Sequence, residues 1–431
     1  MVSWAARFQL RQYVRQSLWA VPLLGTFAGA ALAAVDLALE DQVSLPGWSY
    51  SAATAGSLLS AVAAAMIGLL GLVVTIGVLV VQMATGTLSP RFMRLWYRDR
   101  LQKVALASFT ATFAFSFVLL QEIGSGTVPD LGVTLAGLAV ITNLILLLLY
   151  LDRFVHALRP VAVAAAMARA GLAVIEEQAP PAPPPGDIER DLARRPVLAV
   201  SSPGTGAIQA INVSALVDFA REHDLVCELR YAVGDFVYRG DALIDVHGQA
   251  PDGTSRRLQG LVALGHERTI EQDPAFAVRI IVDIAIRALS PAVNDPTTTT
   301  QMINHLGALL GGLGACDLHD RGLLCDSGGV LRLAVPTRSW ESYLELGVSE
   351  IRQFGAGSPQ ACRRLRTMLR DLERSVLPVN RASVRAEIER LDRAVMDQIP
   401  EGDERRLAMG EDRQGLGGTT PRGQGPPDSR A

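Results

Sequence analysis

The sequence predicts an α-helical membrane domain with four transmembrane helices, joined to a cytoplasmic α+β domain. The second domain is expected to contain a small barrel-sandwich-like strand module and a C-terminal helical part. Three observations predict this fold class. Four apolar runs, each near the ~20 residues that cross a bilayer as a helix, lie in the first third of the 431 residues. A proline-rich stretch follows them, and beyond it the residue pattern changes first to strands and then to amphipathic helices.

The apolar runs contain almost no charge, although 19% of all residues are charged. Their cores lack Lys, Arg, Asp and Glu apart from Asp36, whereas a soluble core helix would show a polar stripe. The lipid bilayer is therefore an expected partner. The predicted spans are Ser17–Leu39, Leu58–Met83, Val104–Leu120 and Leu131–Leu151.

The loop charges predict that both termini face the cytoplasm. Arginines precede the first span, fill the loop between the second and third spans, and follow the fourth span, while the other two loops carry only acidic charges. The first apolar run is about twice as long as the 7–15 residues of a signal-peptide core, which favours a membrane anchor over a cleaved signal. The basic amphipathic segment Leu88–Leu101 is expected to lie at the inner interface, with an anionic-lipid site as the alternative.

Polar and small residues within the spans allow two interpretations. Asn143 lies near the middle of the fourth span and needs a hydrogen-bond partner there. Ser60, Ala64 and Gly68 recur at helical spacing in the second span, which suits either helix packing or a pore-lining face. Four spans are few for a transporter, so conduction would require a homo-oligomer.

Composition changes divide the chain into five segments. The predicted segments are a four-span membrane domain at 1–178, a proline-rich linker at 179–187, a strand-rich module at 188–262, a helical α+β region at 263–400 and a disordered tail at 401–431.

The stretch Leu229–Val246 carries the strongest strand pattern. Gly234-Asp235 and Gly240-Asp241 predict tight turns between short strands. This run resembles the half-repeat of the barrel-sandwich hybrid found in biotinyl, lipoyl and membrane-fusion adaptor domains. Lys103 is the only lysine in the chain and lies outside this module, so a carrier role and a bound cofactor are not expected.

A polar block follows at Gly265–Leu306 and contains ERTIEQDPAF and DIAIRALSPAVNDP. Together with TLSPRFMRLWYRDR at Thr87–Arg100 and the four-span layout, it resembles a bacterial family of predicted integral membrane proteins, domain of unknown function 2254. The resemblance implies a multi-pass protein of the bacterial inner membrane. It implies no particular activity.

Two helices are predicted to start within this block. Asp273-Pro274 and Asp295-Pro296 each combine an aspartate N-cap with proline at the first helical position. On the first helix Arg279, Asp283 and Arg287 share one face and could form an ion ladder.

The same block holds more polar residues than two caps require. Helix N-termini attract anions and arginine can clamp them, so a small anion is one interpretation of the surplus, with structural capping as the other. The aspartates would repel an anion unless they hold a cation that bridges to it. The candidate ligand-binding residues are Arg268, Thr269, Asp273, Asp283, Arg287, Asn294, Asp295 and Thr297.

Other chemistries have little support in the sequence. His305, Cys316, His319 and Cys325 fit no zinc-site spacing, and no catalytic set or cofactor motif emerges. The net charge of -3 argues against nucleic acid as a partner. Three functions remain: a ligand-sensing or assembly module that regulates an oligomeric membrane part, with an ion pathway as one form of that part; a membrane-tethered scaffold for proteins; and, least favoured, a membrane-bound enzyme.

Overall fold

A computed structural model describes residues 3–39, 49–87, 99–123, 128–157, 159–178 and 197–417. The chain divides into two compact units. We call residues 11–159 the span unit, and residues 1–10 together with 160–431 the αβ unit. The predicted proline-rich linker, and all but the last three residues of the predicted interfacial helix at 88–101, lie outside the described residues.

The span unit contains the helices predicted to cross the membrane. Helix α1 (Trp4–Gln16) leads into it, and the helices that follow are α2 (Ala20–Leu39), α3 (Ala52–Thr87), α4 (Arg100–Ile123) and α5 (Asp130–Ala157). Within the described residues, α2 to α5 are the helices long and apolar enough to span a bilayer. Each overlaps one predicted span, which confirms the prediction of four apolar helices.

Asn143 is fully buried in α5 and joins three helices. Its Nδ2 donates to Thr112 Oγ1 at 2.8 Å on α4 and to Met66 Sδ at 3.1 Å on α3. Ser108 Oγ on α4 donates to its Oδ1 at 2.5 Å. These bonds satisfy the amide inside the helix bundle, so Asn143 serves helix packing.

Two glycines let α2 and α4 approach closely. A Cβ atom at Gly25 would overlap the backbone of Ala107, and one at Gly29 would overlap the backbone of Ala111. Both pairs are four residues apart, so they lie on matching faces of the two helices. The close contact through small residues thus involves the first span. The sequence analysis considered small residues only in the second span.

The small residues of α3 lie in a different environment. Ser60, Ala64 and Gly68 are exposed, and a Cβ atom at Gly68 or Gly71 would meet no atom within 4 Å among the described residues. They therefore make no close helix contact within the described part of one chain.

The αβ unit combines two sheets with helices. Its strands are β1 (Val197–Ser201), β2 (Gly206–Ile211), β3 (Val226–Leu229), β4 (Phe236–Val237), β5 (Ala242–His247), β6 (Val262–Gly265), β7 (Arg321–Cys325) and β8 (Leu331–Pro336). Its helices are α6 (Pro160–Gln178), α7 (Val213–Glu222), α8 (Thr254–Gln259), α9 (Pro274–Ala288), α10 (Pro296–Gly314), α11 (Trp340–Gly355), α12 (Pro359–Ser375), α13 (Arg381–Gln398) and α14 (Asp403–Ala408).

The strands form one sheet of order β1-β5-β3-β8-β7 and a second of order β4-β2-β6. Strand β8 pairs with β3 in parallel, and the other pairings are antiparallel. Both sheets and α7 share one apolar core, which includes Ile208, Leu216 and Ile244. The β7–β8 hairpin lies in the region predicted as mainly helical.

Both predicted tight turns are present. Gly234 and Gly240 have φ values of 94° and 96°, in the left-handed region that glycine adopts at little cost. The short strand β4 between them pairs with β2, whereas β5, after the second turn, pairs with β1 and β3. The mixed α/β character is therefore confirmed, while the likeness to a barrel-sandwich hybrid stays a prediction.

Helix α6 belongs to the αβ unit, although the sequence analysis places residues up to 178 in the membrane domain. Its buried face includes Val163 and Met167, and it packs against α9 and α10. Gly171 allows the close approach, because a Cβ atom there would lie 2.9 Å from a methyl group of Leu309. The boundary differs because the apolar face of α6 packs against α9 and α10, which follow the linker in the chain.

The described structure continues to Gly417, whereas the predicted disordered tail begins at Glu401. Helix α14 lies in this stretch. The buried carboxylate of Asp412 then accepts hydrogen bonds from the backbone N–H groups of Gly415 at 2.8 Å and Gly417 at 2.7 Å. Arg363 of α12 donates to the carbonyl oxygen of Gly417 at 2.8 Å, which fixes the segment on that helix.

Candidate ligand-binding site

Arg268 and Asp273 form a buried ion pair at the N-terminal end of α9. Arg268 Nε donates to Asp273 Oδ2 at 2.8 Å, and Nη2 lies 2.7 Å from the same oxygen. The Asp273 side chain is 3% exposed. Burial raises the pKa of Asp273 above its ordinary value, although the charges of Arg268 and Arg338 act to lower it.

Asp273 occupies the N-cap position of α9, but its side chain makes no cap hydrogen bond. The predicted N-cap position and helix start are confirmed here, and Arg268 binds the carboxylate. At α10 the prediction is confirmed, since Asp295 Oδ1 accepts from the backbone N–H of Thr298 at 3.0 Å.

The turn at Gly234 covers the ion pair. A Cβ atom at Gly234 would overlap Arg268 Nη2 and Asp273 Oδ2. The strand module and the polar block, which the sequence analysis treats separately, therefore meet at this point.

Residues next to the ion pair join the block to β2. Gln272 Oε1 accepts from the backbone N–H of Ile211 at 2.8 Å, and its Nε2 donates to the Ile211 carbonyl at 3.1 Å. Thr269 Oγ1 donates to the carbonyl of Gln209 at 3.2 Å. Thr269 is thus engaged with the backbone.

The remaining predicted residues lie elsewhere along α9 and α10. The backbone N–H of Asp295 donates to the carbonyl of Ala288 at 2.7 Å, at the opposite end of α9 from Asp273. The 15 residues of α9 separate these ends by about 22 Å. The two helix N-termini therefore do not meet, which corrects the predicted arrangement around Arg268.

Around α10 the side chains mostly serve the helix. Asn294 is exposed and has a φ of 47°, and Thr297 is also exposed. The hydroxyl groups of Thr298, Thr299 and Thr300 donate to Asp295 or to backbone carbonyls. The threonine hydroxyls at 298–300 thus have partners within the helix and its cap.

Part of the predicted ion ladder is present on α9. Arg279 Nε donates to Asp283 Oδ1 at 2.6 Å, and Arg279 Nη2 donates to Glu350 Oε2 of α11 at 2.8 Å. Arg287 follows on the same helix, one turn after Asp283. The Arg279 contacts link α9 to α11, which is a structural role.

A cavity of about 510 Å³ lies beside Asp273, within the αβ unit. Trp4 of α1 and Val174 and Ile175 of α6 contribute to its wall. Leu313, Cys316, Leu318 and His319 line it from α10 and the loop that follows, and Arg338 and Tyr343 line it from the start of α11 and the residues before it. The Arg268–Asp273 pair thus lies at the edge of a largely apolar cavity, an arrangement typical of ligand sites.

Sequence reasoning did not identify Trp4, Val174, Arg338 or Tyr343 as site residues. They lie far apart along the chain, and none belongs to a recognisable motif. The one available signal was Arg338, an isolated arginine directly before the Ser339 cap of an amphipathic helix.

The four residues considered as zinc ligands form no metal site in the described structure. Among the described residues, no group of three or more His, Cys, Asp or Glu side chains could hold a metal ion. Cys316 and His319 instead line the cavity, and the His319 ring pairs with Asp317 at 3.2 Å.

Over residues 15–371 the chain matches a family described as "Predicted membrane protein (DUF2254)". It is also similar to uncharacterized proteins of Mycobacterium tuberculosis, strains CDC 1551 and H37Rv, and of Mycobacterium bovis. Each is 28% identical over 432 residues, covering 94% of this chain and 81% of the relative. No solved structure matches the chain.

Proposed function

Since the chain belongs to the DUF2254 family of predicted membrane proteins, we propose that it is a membrane-anchored sensor. The αβ unit binds a small molecule in the cavity, and the bound state acts on the spans. In this proposal the protein lies in the bacterial inner membrane with both termini and the αβ unit in the cytoplasm, as the loop arginines favour.

The proposal rests on the identity of the helices that line the cavity. Trp4 belongs to α1, which precedes the first span in the chain, and Val174 and Ile175 belong to α6, which follows the fourth. A ligand in the cavity would therefore contact the two helices that connect the αβ unit to the membrane. A ligand can shift a conformational equilibrium only through contacts that differ between states, and these helices offer such contacts.

Cys316 provides a test, because its thiol can carry a permanent occupant of the cavity. N-ethylmaleimide is reacted at pH 8 with the full chain in nanodiscs, in a Cys325→Ser background; Cys227 and Cys362 are buried. We expect hydrogen exchange of α1 and α6 to slow after labelling, because the adduct packs against both helices.

The matched control labels Cys325, which is also part-exposed but does not line the cavity, in a Cys316→Ser background. That adduct should leave α1 and α6 unchanged. If Cys316 does not react, or if its adduct leaves the exchange of both helices unaltered, the proposal is wrong.

Oligomerisation is a further part of the proposal. The exposed small residues of α3 suit a contact with a second copy, and an ion pathway would need such an assembly. Mass measurement in nanodiscs tests this, and a monomeric mass would exclude the assembly and the pathway with it.

A protein scaffold is the second candidate. It is favoured by the exposed rings of Phe236 and Tyr238 at the edge strand β4, whose centroids lie 5.4 Å apart. Two rings make a small apolar patch, however, whereas the cavity is a concave site that includes the buried polar group of Asp273. The sensor is therefore the better supported function.

A further inference from the structure

We infer that the cavity takes a small amphipathic carboxylate, with its head group at Arg338 and Tyr343 and its apolar body against α6 and α10. This inference rests on the proposed sensor function and names the chemical class of the ligand. Four features of the cavity support it: the position of Arg338, the hydroxyl of Tyr343, the engagement of the nearby acids, and the apolar wall.

Arg338 is the arginine that lines the cavity. Its side chain is 30% exposed, and Nη2 lies 4.0 Å from Asp235 Oδ1, at the outer limit of an ion pair. Its guanidinium makes no hydrogen bond to the part of the chain that the structure describes. A guanidinium has five N–H donors in a planar fork, which matches a carboxylate in two-point contact.

Tyr343 adds a hydroxyl next to this guanidinium. The residue is 7% exposed and lines the cavity, and its hydroxyl has no hydrogen-bond partner among the described residues. Burial raises the pKa of Tyr343, the charges of Asp273 and Arg338 also act on it, and all three residues line the cavity. A protonated hydroxyl in a buried position is a donor that a carboxylate oxygen can accept from.

The acids at the cavity do not form a cation site. Asp273 is bound by Arg268 through Nε and lies beneath the Gly234 turn, and burial raises its pKa, which disfavours the charged form. Glu177 has an exposed side chain, which water can solvate. Arg338 and Tyr343 therefore offer donors at the polar end of the cavity, and they favour an anion.

The apolar part of the cavity wall determines the chemistry of the ligand's body, opposite its head group. Val174, Ile175, Leu313 and Leu318 present apolar side chains to the cavity. A volume of about 510 Å³ lies within the range of sites that hold small organic molecules. A carboxylate with a short hydrocarbon or aromatic body matches both the polar and the apolar parts of this wall.

Three matched probes test the charge of the head group. The full chain in nanodiscs is titrated calorimetrically with 4-phenylbutyrate, its neutral amide 4-phenylbutyramide and the cationic 4-phenylbutylamine, with empty nanodiscs as the baseline. We expect the carboxylate to bind about tenfold more tightly than the amide, and the amine to bind most weakly, because the ionised head group gains charge-assisted hydrogen bonds.

Two variants assign the contacts. Arg338→Gln should weaken phenylbutyrate binding by about tenfold or more and leave phenylbutyramide within about twofold. Tyr343→Phe keeps the ring that packs in the wall and should weaken the carboxylate by about threefold or more. Arg239→Gln removes an exposed arginine away from the cavity and should change neither affinity.

Several outcomes would overturn the inference. Tighter binding of the amine or the amide than of the carboxylate would do so, as would equal effects of Arg338→Gln and Arg239→Gln. If none of the three probes binds while the Cys316 adduct still slows exchange in α1 and α6, the carboxylate assignment is wrong and the sensor function stands. If the adduct also has no effect, both proposals are wrong.

Discussion

Gly234 shows how one backbone position can hold two parts of the αβ unit together. Its φ of 94° is the left-handed conformation, and the space where a side chain would begin is filled by the Arg268–Asp273 ion pair. The turn thus packs directly against a charged pair whose acid is buried. Since a buried ion pair loses much of its benefit when one partner is poorly placed, the fit of this turn matters for stability.

Replacing Gly234 with alanine should destabilise the αβ unit more than the same change at Gly240. Both residues have positive φ, so each variant pays a backbone cost of about 1 kcal/mol. At Gly234 the new methyl group also displaces the ion pair, so we expect a total loss of roughly 3 kcal/mol. A Cβ atom at Gly240 meets no atom within 4 Å, which makes Gly240→Ala the matched control. Thermal unfolding of the full chain measures both, and equal losses would contradict the role of the turn.

At the scale of elements, the carboxylate of Asp412 organises the backbone of the segment after α14. Asp412 is 1% exposed and accepts hydrogen bonds from backbone N–H groups at 414, 415 and 417. Its own N–H donates to Thr367 Oγ1 of α12 at 2.9 Å. Together with the hydrogen bond from Arg363 to the Gly417 carbonyl, these polar contacts keep the segment on the helix.

Asp412→Ala should release the segment at neutral pH. The loss of hydrogen bonds to a charged group costs about 2 kcal/mol, which is enough to undock a short peptide segment. Trypsin should then cleave after Arg413 much faster than in the wild type. Asp403→Ala, which removes only an exposed ion pair with Arg406, is the control and should leave the cleavage rate unchanged.

The same contact predicts a pH dependence. Burial of Asp412 acts to raise its pKa, but the backbone N–H groups at 414, 415 and 417 and the charge of Arg363 together outweigh burial, and the pKa lies below its ordinary value. The contact therefore stabilises the segment above the unfolded pKa of about 3.9, and this contribution is lost as pH falls through the lower folded pKa. Exchange protection of the Gly415 and Gly417 amides, corrected for intrinsic rates, should persist at pH 5 and disappear in stronger acid. Loss of protection already at pH 5 would refute this assignment.

The contact between α2 and α4 gives a prediction for the span unit. Gly29→Leu should disrupt it, because the new side chain meets the backbone of Ala111 and the helices must separate. We expect a loss of about 2 kcal/mol or more, typical of overpacking. Gly68→Leu on α3 has open space in one chain and should leave unfolding of the isolated chain unchanged. Thermal unfolding in detergent compares the two, and similar effects would show that the α2–α4 contact is not tight.

The sequence predicted some elements well for identifiable physical reasons. Apolar runs without charge have one stable environment, so the spans could be located, and Pro274 and Pro296 mark the starts of α9 and α10. The β7–β8 hairpin was missed because its two strands are short and β8 gains its place in the sheet from β3, about 100 residues earlier. The order after Glu401 was missed because it depends on Arg363 and Thr367 of α12 and not on local pattern.

At the scale of the molecule, the candidate site illustrates what local reasoning omits. The polar block around Asp273 was identified from its composition, but helix-terminus arguments connected it to Asn294 and Asp295, about 22 Å away along α9. The cavity beside it is formed by residues from 4 to 343, and only tertiary packing brings them together. The types of residue in the block indicated which chemistry it could perform. Which residues lie close to one another could be learned only from the fold.

The loop charges lead to a prediction for the whole chain. Reporter fusions after Asp187 should be active only as cytoplasmic reporters, and fusions within Gln42–Ser51 only as periplasmic reporters, because arginine-rich loops remain inside. Paired fluorescent-protein and alkaline-phosphatase fusions at both sites measure this. A periplasmic signal at the C-terminal fusion would refute the proposed orientation.

The αβ unit is interrupted in the chain by the span unit, and this affects how the protein can be made. Ala5 packs against Ala210 and Ala263, and Gln9 Nε2 donates to the carbonyl of Leu264 at 2.6 Å. During synthesis these residues leave the ribosome long before their partners, so they must wait until all four apolar helices have been synthesised. A fragment that begins at Pro160 would leave Ala210 and Ala263 uncovered and would lack the Trp4 side of the cavity. A single chain in the native order of segments that completes the αβ unit therefore contains all four apolar helices.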